Sequence, residues 1–465
     1  MNSLFAGRGP RPWSIFSSTA LARVETRAAL YSVLAAALIA AVFPVSDAGA
    51  AGERSLTLVE ALRLAEANAF QVKAAEHDSL AAHYGLRAAK DAWFPTFAIT
   101  GNAIGFHPQD PMSLGPIEIP SDWNELYATN FRLNYPIYTG GRRTNDVRRQ
   151  RASLGAASSQ VSAARLGNAY QSRKAYIGLL IADRMVDAAN ASLERVSVIR
   201  KHVENLFSAG MADSIDILEA EISVQGANRL LEEAQGERRN ASSALARLLG
   251  LQTDETIVAI DAVPDPEPPR AEAPEAADIA GRPELSAAER QIESARYEQS
   301  IVKAGFLPVL NGMGGYVLVK PKIGERPTDW QENWWLGVSL SWDLNLGGQE
   351  FSQSDQALER VRSLEMTRKD LEESLLLQAR LAWNNIGETY RVYTIRRNEY
   401  DLASRRFALA VDVQKAGQMT VNRLLELEAD LTQTQQQFEA ARLQYHAAVT
   451  DYLYAVGSDA IREGF

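Results

Sequence analysis

Five histidines, at His77, His83, His107, His202 and His446, and 58 carboxylates are the chain's stock of acid–base and metal-binding groups, and it has no cysteine. Without thiols there is no disulfide, no Cys-ligated metal, no thiol nucleophile and no lipid-modified N-terminal Cys. The histidines share no ligand spacing, so they read as surface or packing residues rather than metal ligands. A Gly-Lys-Ser/Thr phosphate loop, an H-E-x-x-H pair and a nucleophile elbow are all missing. Nothing isolates a catalytic pair among the acids. The expectation is therefore a protein that is not an enzyme and holds no cofactor or metal, and no nucleotide site is visible to drive work.

The elements around these residues point to export. Arg8, Arg11, Arg23 and Arg27 precede an apolar run from Ala28 to Phe43, followed by Pro44 and the small-residue tripeptide Ala48-Gly49-Ala50. This is the pattern of a cleaved signal peptide over residues 1–50. The run is short of the ~20 residues a spanning helix needs, and an uncleaved anchor is the alternative. The whole chain carries a net charge of −10. Loss of the leader removes those arginines against only Glu25 and Asp47, so the mature chain is more acidic still and offers nucleic acid no basic face. With no second hydrophobic segment, the destinations are the periplasm, secretion, or the outer membrane by way of a β-barrel.

A repeat with constant offset organises the rest. Leu133-Asn134-Tyr135-Pro136-Ile137-Tyr138-Thr139-Gly140-Gly141 resembles Leu340-Ser341-Trp342-Asp343-Leu344-Asn345-Leu346-Gly347-Gly348, 207 residues later. Ala209-Gly210 recurs as Ala416-Gly417, Glu219 and Glu221 as Glu426 and Glu428, and Gly250 as Gly457, all at 207. Phe94-Pro95 matches Leu307-Pro308 at 213. Two structural repeats follow, residues 51–250 and 282–465, each a helix, a strand pair and a long helical hairpin. Between them residues 251–281 hold Pro264, Pro266, Pro268, Pro269 and Pro274, an extended connector with one short strand expected at Thr256 to Ile260.

Within each repeat a helix, Val59 to Ala92 or Glu284 to Ala304, ends just before a proline. Strict alternation follows. Tyr127, Phe131, Leu133 and Tyr135 share one strand face, and Arg132 and Asn134 the other. Trp334, Leu336, Val338, Leu340 and Trp342 share a face, with Ser341 and Asp343 opposite, in a strand expected to run to Leu346. A soluble sandwich strand alternates in the same way. Lipid is favoured by aromatics at both ends of each apolar face, roughly 20 Å apart along a membrane normal at the usual rise and tilt. The long polar loops at His107 to Asn124 and Lys320 to Asn333 favour it too. The partner strands, Thr96 to Phe106 and Val309 to Val319, are weaker, and Gly312, Gly314 and Gly315 leave the second without a clear register.

Beyond each Gly-Gly a proline-free helical pattern, Arg142 to Leu249 or Gln349 to Ala455, breaks only near Gly210 or Gly417 and must fold back there. The outgoing arm is about 100 Å long and the first return arm about 57 Å, so Glu284 to Ala304, about 30 Å, is expected to extend the return arm end to end. Four strands cannot close a barrel, and open edges are not tolerated in lipid, so the chain must oligomerise.

Leu56-Thr57-Leu58-Val59-Glu60-Ala61-Leu62-Arg63-Leu64-Ala65, Trp93-Phe94-Pro95, Arg282-Pro283-Glu284-Leu285, Phe306-Leu307-Pro308 and the two Gly-Gly turns, in that order, resemble the TolC-like outer-membrane efflux and secretion channels over about residues 55 to 458. The resemblance implies a mixed α and β membrane protein: a homotrimer with one shared transmembrane β-barrel, four strands per protomer, continued by a long periplasmic α-helical coiled-coil barrel. It implies a passive exit duct in the bacterial outer membrane, with a periplasmic adaptor and an inner-membrane transporter as partners. Family tips carry a Val-Gly-Leu-like motif that meets the adaptor; the matching residues are Ala209, Gly210, Met211 and Ala416, Gly417, Gln418, with the glycine kept and its flanks changed. The periplasmic gate maps onto Asp216, Arg423 and Glu426, where Arg423 replaces an acid. The rival of another class is a soluble periplasmic coiled-coil adaptor or scaffold, which gives no reason for the apolar face of Trp334 to Trp342.

Overall fold

The computed structural model describes residues 53–105, 112–114, 117–119, 123–269, 272–323, 326–327, 329–343 and 347–465. The expected signal peptide lies outside these residues, as do Phe106, His107 and positions 344–346 of the expected second strand.

The first repeat opens with β1 (Arg54–Leu56), then α1 (Leu58–Asn68) and α2 (Phe70–Asp91). Thr57 and Glu60 close a capping box at the start of α1, satisfying two of its otherwise unpaired amides. The single helix expected from Val59 to Ala92 is thus two, broken at Ala69, whose ψ of 122° is extended. Then come β2 (Thr96–Gly105), a small hairpin of β3 (Met112–Leu114) and β4 (Ile117–Ile119), β5 (Trp123–Tyr138), α3 (Arg142–Ser208) and α4 (Ser214–Leu248). The connector carries β6 (Ile257–Ala259) and α5 (Ala276–Ile279). The second repeat follows with α6 (Pro283–Lys303), a single 3-10 turn, β7 (Val309–Ile323), β8 (Arg326–Pro327), β9 (Gln331–Ser341), α7 (Gln349–Lys415) and α8 (Val421–Ala455). The outgoing arms α3 and α7 are 67 residues each, and the returning arms α4 and α8 are 35 each. Duplication therefore holds in length as well as in sequence. Several bounds differ from expectation: β5 begins at Trp123 and β9 at Gln331, inside the expected loops, β7 continues to Ile323, and β9 ends at Ser341, leaving Trp342 and Asp343 beyond the strand.

The long strands form one antiparallel sheet in the order β2–β5–β7–β9, with β8 a short bridge to β7. The register that the glycines left open is now explained. A Cβ on Gly315 would lie 2.6 Å from the Trp335 ring, and one on Gly314 3.3 Å from Leu336, so neighbouring large side chains lie over the bare backbone.

The helices repeat this order. Next to the sheet, α2 packs on α3, α3 on α6 and α6 on α7; toward the hairpin tips, α4 packs on α3, α3 on α8 and α8 on α7. The short helices therefore stack within a repeat, α4 continuing α2 on one side of α3 and α8 continuing α6 on the other, so α6 does not extend α4 as the arm lengths suggest. Each strand joins its own helix (α2 to β2, β5 to α3, α6 to β7, β9 to α7), so sheet and wall share one sequence of rows.

Glycines fix the reversals. Gly210, Gly250, Gly417 and Gly457 have φ between 67° and 75°. At each, the glycine amide and the next one return to carbonyls of the finished helix, for example Gly210 to Phe207 and Met211 to Leu206. This is the Schellman arrangement, which L side chains enter only with strain. A Cβ on Gly250 would stand 2.7 Å from that of Asn68, and one on Gly457 2.8 Å from Arg282 Cδ. The break at Ala69 thus has a counterpart at Arg282, the residue preceding α6, and each repeat seats the glycine that closes its return arm against the chain just before α2 or α6.

Midway along the wall the connector is tied to both repeats. β1 pairs parallel with β6. Asp261 accepts from the Leu58 amide at 2.5 Å and from the Tyr176 hydroxyl at 2.6 Å; burial, then this carboxylate, push the Tyr176 phenol up, so it stays protonated. Buried Arg173 donates to Thr450 Oγ1 and to the carbonyls of Ile461, Glu463 and Gly464. His446 donates from Nε2 to the Pro264 carbonyl at 3.0 Å.

Candidate functional site

The sheet has two unlike faces. Register places Ile99, Phe131, Tyr316 and Trp334 in one row and Phe97, Leu133, Gly314 and Leu336 in the next. Phe131 lies between Phe97, stacked at 6.3 Å, and Tyr316, tilted at 6.1 Å. Tyr127, Tyr135, Val338 and Leu340 continue this apolar face, and it stands open in the protomer, with Leu336 79% exposed. Arg132 and Asn134 lie on the opposite face in rows with Trp335 and Gly337, and Ser341 closes it beside Val309. Trp335, which alternation assigns to the polar side, was not singled out by sequence; Gly315 is its seat. Trp342, beyond the strand, anchors its indole N–H on the Phe306 carbonyl at 3.2 Å, and Asp343 follows outside the sheet. The face assignments at these two positions therefore do not carry over from strand alternation.

At the tips, Ala209 and Ala416 are the last helical caps, Gly210 and Gly417 turn the chain, and Met211 and Gln418 supply the returning amides. Met211 is exposed, with Ile215, Leu218 and Ile222 on the same arm. The three residues aligned with the gate separate into two groups. Asp216 accepts from the Asp213 amide at 3.1 Å while Asp213 accepts from the Asp216 amide at 3.0 Å, so its carboxylate is engaged in a capping box. In the second hairpin Thr420 caps α8, and Arg423 pairs with Glu426 at 2.6 Å, both more than half exposed.

One buried polar cluster had no signal beyond the repeat itself. Glu428 accepts from Ser192 Oγ at 2.9 Å, Arg195 Nε at 3.1 Å and Thr432 Oγ1 at 2.7 Å, joining α3 to α8 where only 4% of its side chain is exposed. Its repeat equivalent, Glu221, pairs with Arg200 at 2.8 Å with both half exposed. A stripe on α7 (Leu377, Leu381, Ile395, Leu402, Leu409) is exposed as well. α7 is the last helical row on one side; α2 and α4, the first on the other, expose Leu80, Tyr84, Ile215, Leu218 and Ile222.

No helix of the described residues is long and apolar enough to cross a membrane, and no group of three or more His, Asp or Glu among them could hold a metal. The geometry supplies two things: an apolar sheet face and a duct wall with open edges.

Residues 61–251 and 278–457 match the outer membrane efflux protein family. The fold is similar to solved outer-membrane channels. These include CmeC of Campylobacter jejuni (15% identity, TM-score 0.73, covering 86% of this chain and 85% of that one) and VceC of Vibrio cholerae (15% identity, TM-score 0.70, 86% and 96%). MtrE of Neisseria gonorrhoeae in its open state is a third (17% identity, TM-score 0.67, 86% and 89%). No curated protein matches the chain.

Proposed function

The chain belongs to the outer membrane efflux protein family, and from that premise we propose that it is the passive exit duct of a tripartite efflux or type I secretion system. It is an outer-membrane efflux channel whose helices form the periplasmic part. The finer reading is a homotrimer that a periplasmic adaptor opens at the hairpin tips and an inner-membrane transporter drives. Residues 1–50 are its export signal, 51–250 and 282–465 its two repeats, and 251–281 the link between them.

One observation carries the ring. Sheet and wall end in the same rows, β2 with α2 on one side and β9 with α7 on the other. The two edges are unlike, so copies join head to tail, and only a closed ring leaves no strand edge in lipid. A barrel of about eight strands or more asks for at least two copies of this four-stranded sheet; three is what the family resemblance implies. The α7 stripe then meets α2 and α4 of the next copy, burying apolar surface that each protomer leaves open. Tyr127, Phe131, Leu133, Tyr135, Trp334, Leu336, Val338 and Leu340 face lipid, and Arg132, Asn134 and Ser341 face the lumen. Arg423 and Glu426 act at the gate as a pair.

The reading is tested by isolating the protein from outer membranes as a heat-modifiable trimer that conducts in planar bilayers. Recovery as a soluble monomer after cell breakage overturns it. Gly210→Asp with Gly417→Asp should abolish export while leaving trimers intact; normal export by that variant removes the adaptor assignment.

A further inference from the structure

The two places where sheet meets wall are not alike. In the first repeat Arg142 and Arg143 open α3, whose preceding residue, Gly141, offers no side-chain cap. Cations at a helix N-terminus oppose the helix dipole, so this is an unfavourable place for two of them. Arg143 lies over the Trp93 ring at 4.4 Å and the Tyr135 ring at 5.8 Å. It donates through one nitrogen to the Pro136 carbonyl, while its Nε and Nη1 have no partner among the described residues. Neither Arg142 nor Arg143 pairs with a carboxylate among the described residues. A cavity of about 320 Å³ adjoins them, lined by Arg142, Arg143, Asp146, Arg149, Glu298 and Ile301. Its two acids both pair with Arg149, at 2.7 and 2.8 Å, so against its three arginines the cavity keeps one net positive charge, on the side of Arg142 and Arg143.

The second repeat shows what the fold needs without that charge. Gln349 and Glu350 stand where Arg142 and Arg143 do, and an acid in the first turn suits the dipole. Phe306 packs on Phe351 at 5.0 Å, and the Trp342 indole closes the corner. An apolar plug suffices there, so the arginines of the first junction are not required to build the corner.

We propose that the Arg142–Arg143–Trp93 corner binds the phosphate of a phospholipid headgroup in the periplasmic leaflet of the outer membrane. Tyr135 places the corner at the end of the apolar sheet face, where headgroups begin. Guanidinium groups match phosphate geometry with paired donors; the Trp93 and Tyr135 rings hold Arg143 in place, and Arg142 stands exposed beside it. The occupant is a lipid rather than a free anion because the rings that hold Arg143 continue the apolar face.

The test uses the intact assembled protein, delipidated in detergent and titrated with phosphatidylglycerol, diacylglycerol of the same acyl chains, or inorganic phosphate, with bound lipid counted by native mass spectrometry. Wild type should retain phosphatidylglycerol at least fivefold better than Arg142→Gln/Arg143→Gln, and better than it retains diacylglycerol. Arg142→Gln alone, an exposed side chain without partners, should fold normally and lose severalfold; Glu350→Gln should change nothing. Equal retention by Arg142→Gln and wild type overturns the proposal, as does equal binding of diacylglycerol. Displacement of the lipid by millimolar inorganic phosphate shows a free-anion site and overturns the lipid assignment.

Discussion

Glu221 and Glu428 occupy the same position of the repeat, one on α4 and one on α8, yet they live in different surroundings. α8 lies between α3 and α7 inside the wall, so Glu428 is enclosed and must be answered by Ser192, Arg195 and Thr432. α4 stands at the wall's edge, and Glu221 meets Arg200 in the open. The duplication copied backbone geometry faithfully: arm lengths, reversal glycines and Schellman turns recur. It did not copy electrostatics, because the two repeats have different neighbours, and neighbours set what a charge costs.

The largest effect that separates the two positions is truncation of each acid. Glu428→Ala removes the buried acceptor shared by Ser192, Thr432 and the partly exposed Arg195 and should cost about 3 kcal/mol, whereas Glu221→Ala should cost about 1 kcal/mol or less; thermal unfolding followed by circular dichroism distinguishes them. Equal losses would break the distinction between edge and interior. Next come the glycines. Gly250→Ala forces a positive φ and a collision with Asn68, about 2–3 kcal/mol. Gly210→Ala meets nothing and should lose about 1–2 kcal/mol from φ alone. Gly417→Ala should match Gly210→Ala, and a clear mismatch would show that the tips differ in backbone as well as in charge. At the caps, Asp216→Ala removes half of a capping box and should cost about 1 kcal/mol, while Arg423→Ala loses an exposed pair worth a few tenths.

The smallest effect is on pH. Burial holds the His446 imidazole below its ordinary range, with Arg173 and Arg442 adding to it against the Pro264 carbonyl and Asp265. The folded chain therefore takes this proton later than the unfolded chain. Stability is full above about pH 6.5 and declines as pH falls below it, because the unfolded state is protonated first. The melting midpoint between pH 8 and pH 5 should fall less in His446→Gln than in wild type. An unchanged slope would remove His446 as the cause.

Much of this was legible in residue order. Period-two alternation found β5 and β9, because an exposed apolar face leaves a strict pattern. Gly210 and Gly417 found the reversals, because a helix of this length offers few places to turn. The break at Ala69 was invisible, since alanine is a good helix former and the kink answers Gly250, which is distant in sequence. The end of β9 at Ser341 was missed because Trp342 and Leu344 continue the alternation past the point where the Phe306 carbonyl captures the indole. Glu428 looked like its solvated twin, and only packing tells them apart. Gly315 reads in sequence only as a weak point of its strand, because the Trp335 ring that lies over it is on a neighbouring strand. Sequence aligns Asp216 with Arg423, but their side chains are engaged differently: one closes a cap, the other pairs with Glu426.

The matching order of strands and helices also sets a wavelength. In the proposed ring, backbone shape recurs twice in each copy of the chain, since both hairpins have the same arms and the same turns. Charge recurs only once, since Asp216 alternates with Arg423 and Arg143 with Glu350. A partner that senses shape meets every hairpin as the same. One that senses charge counts only half of them.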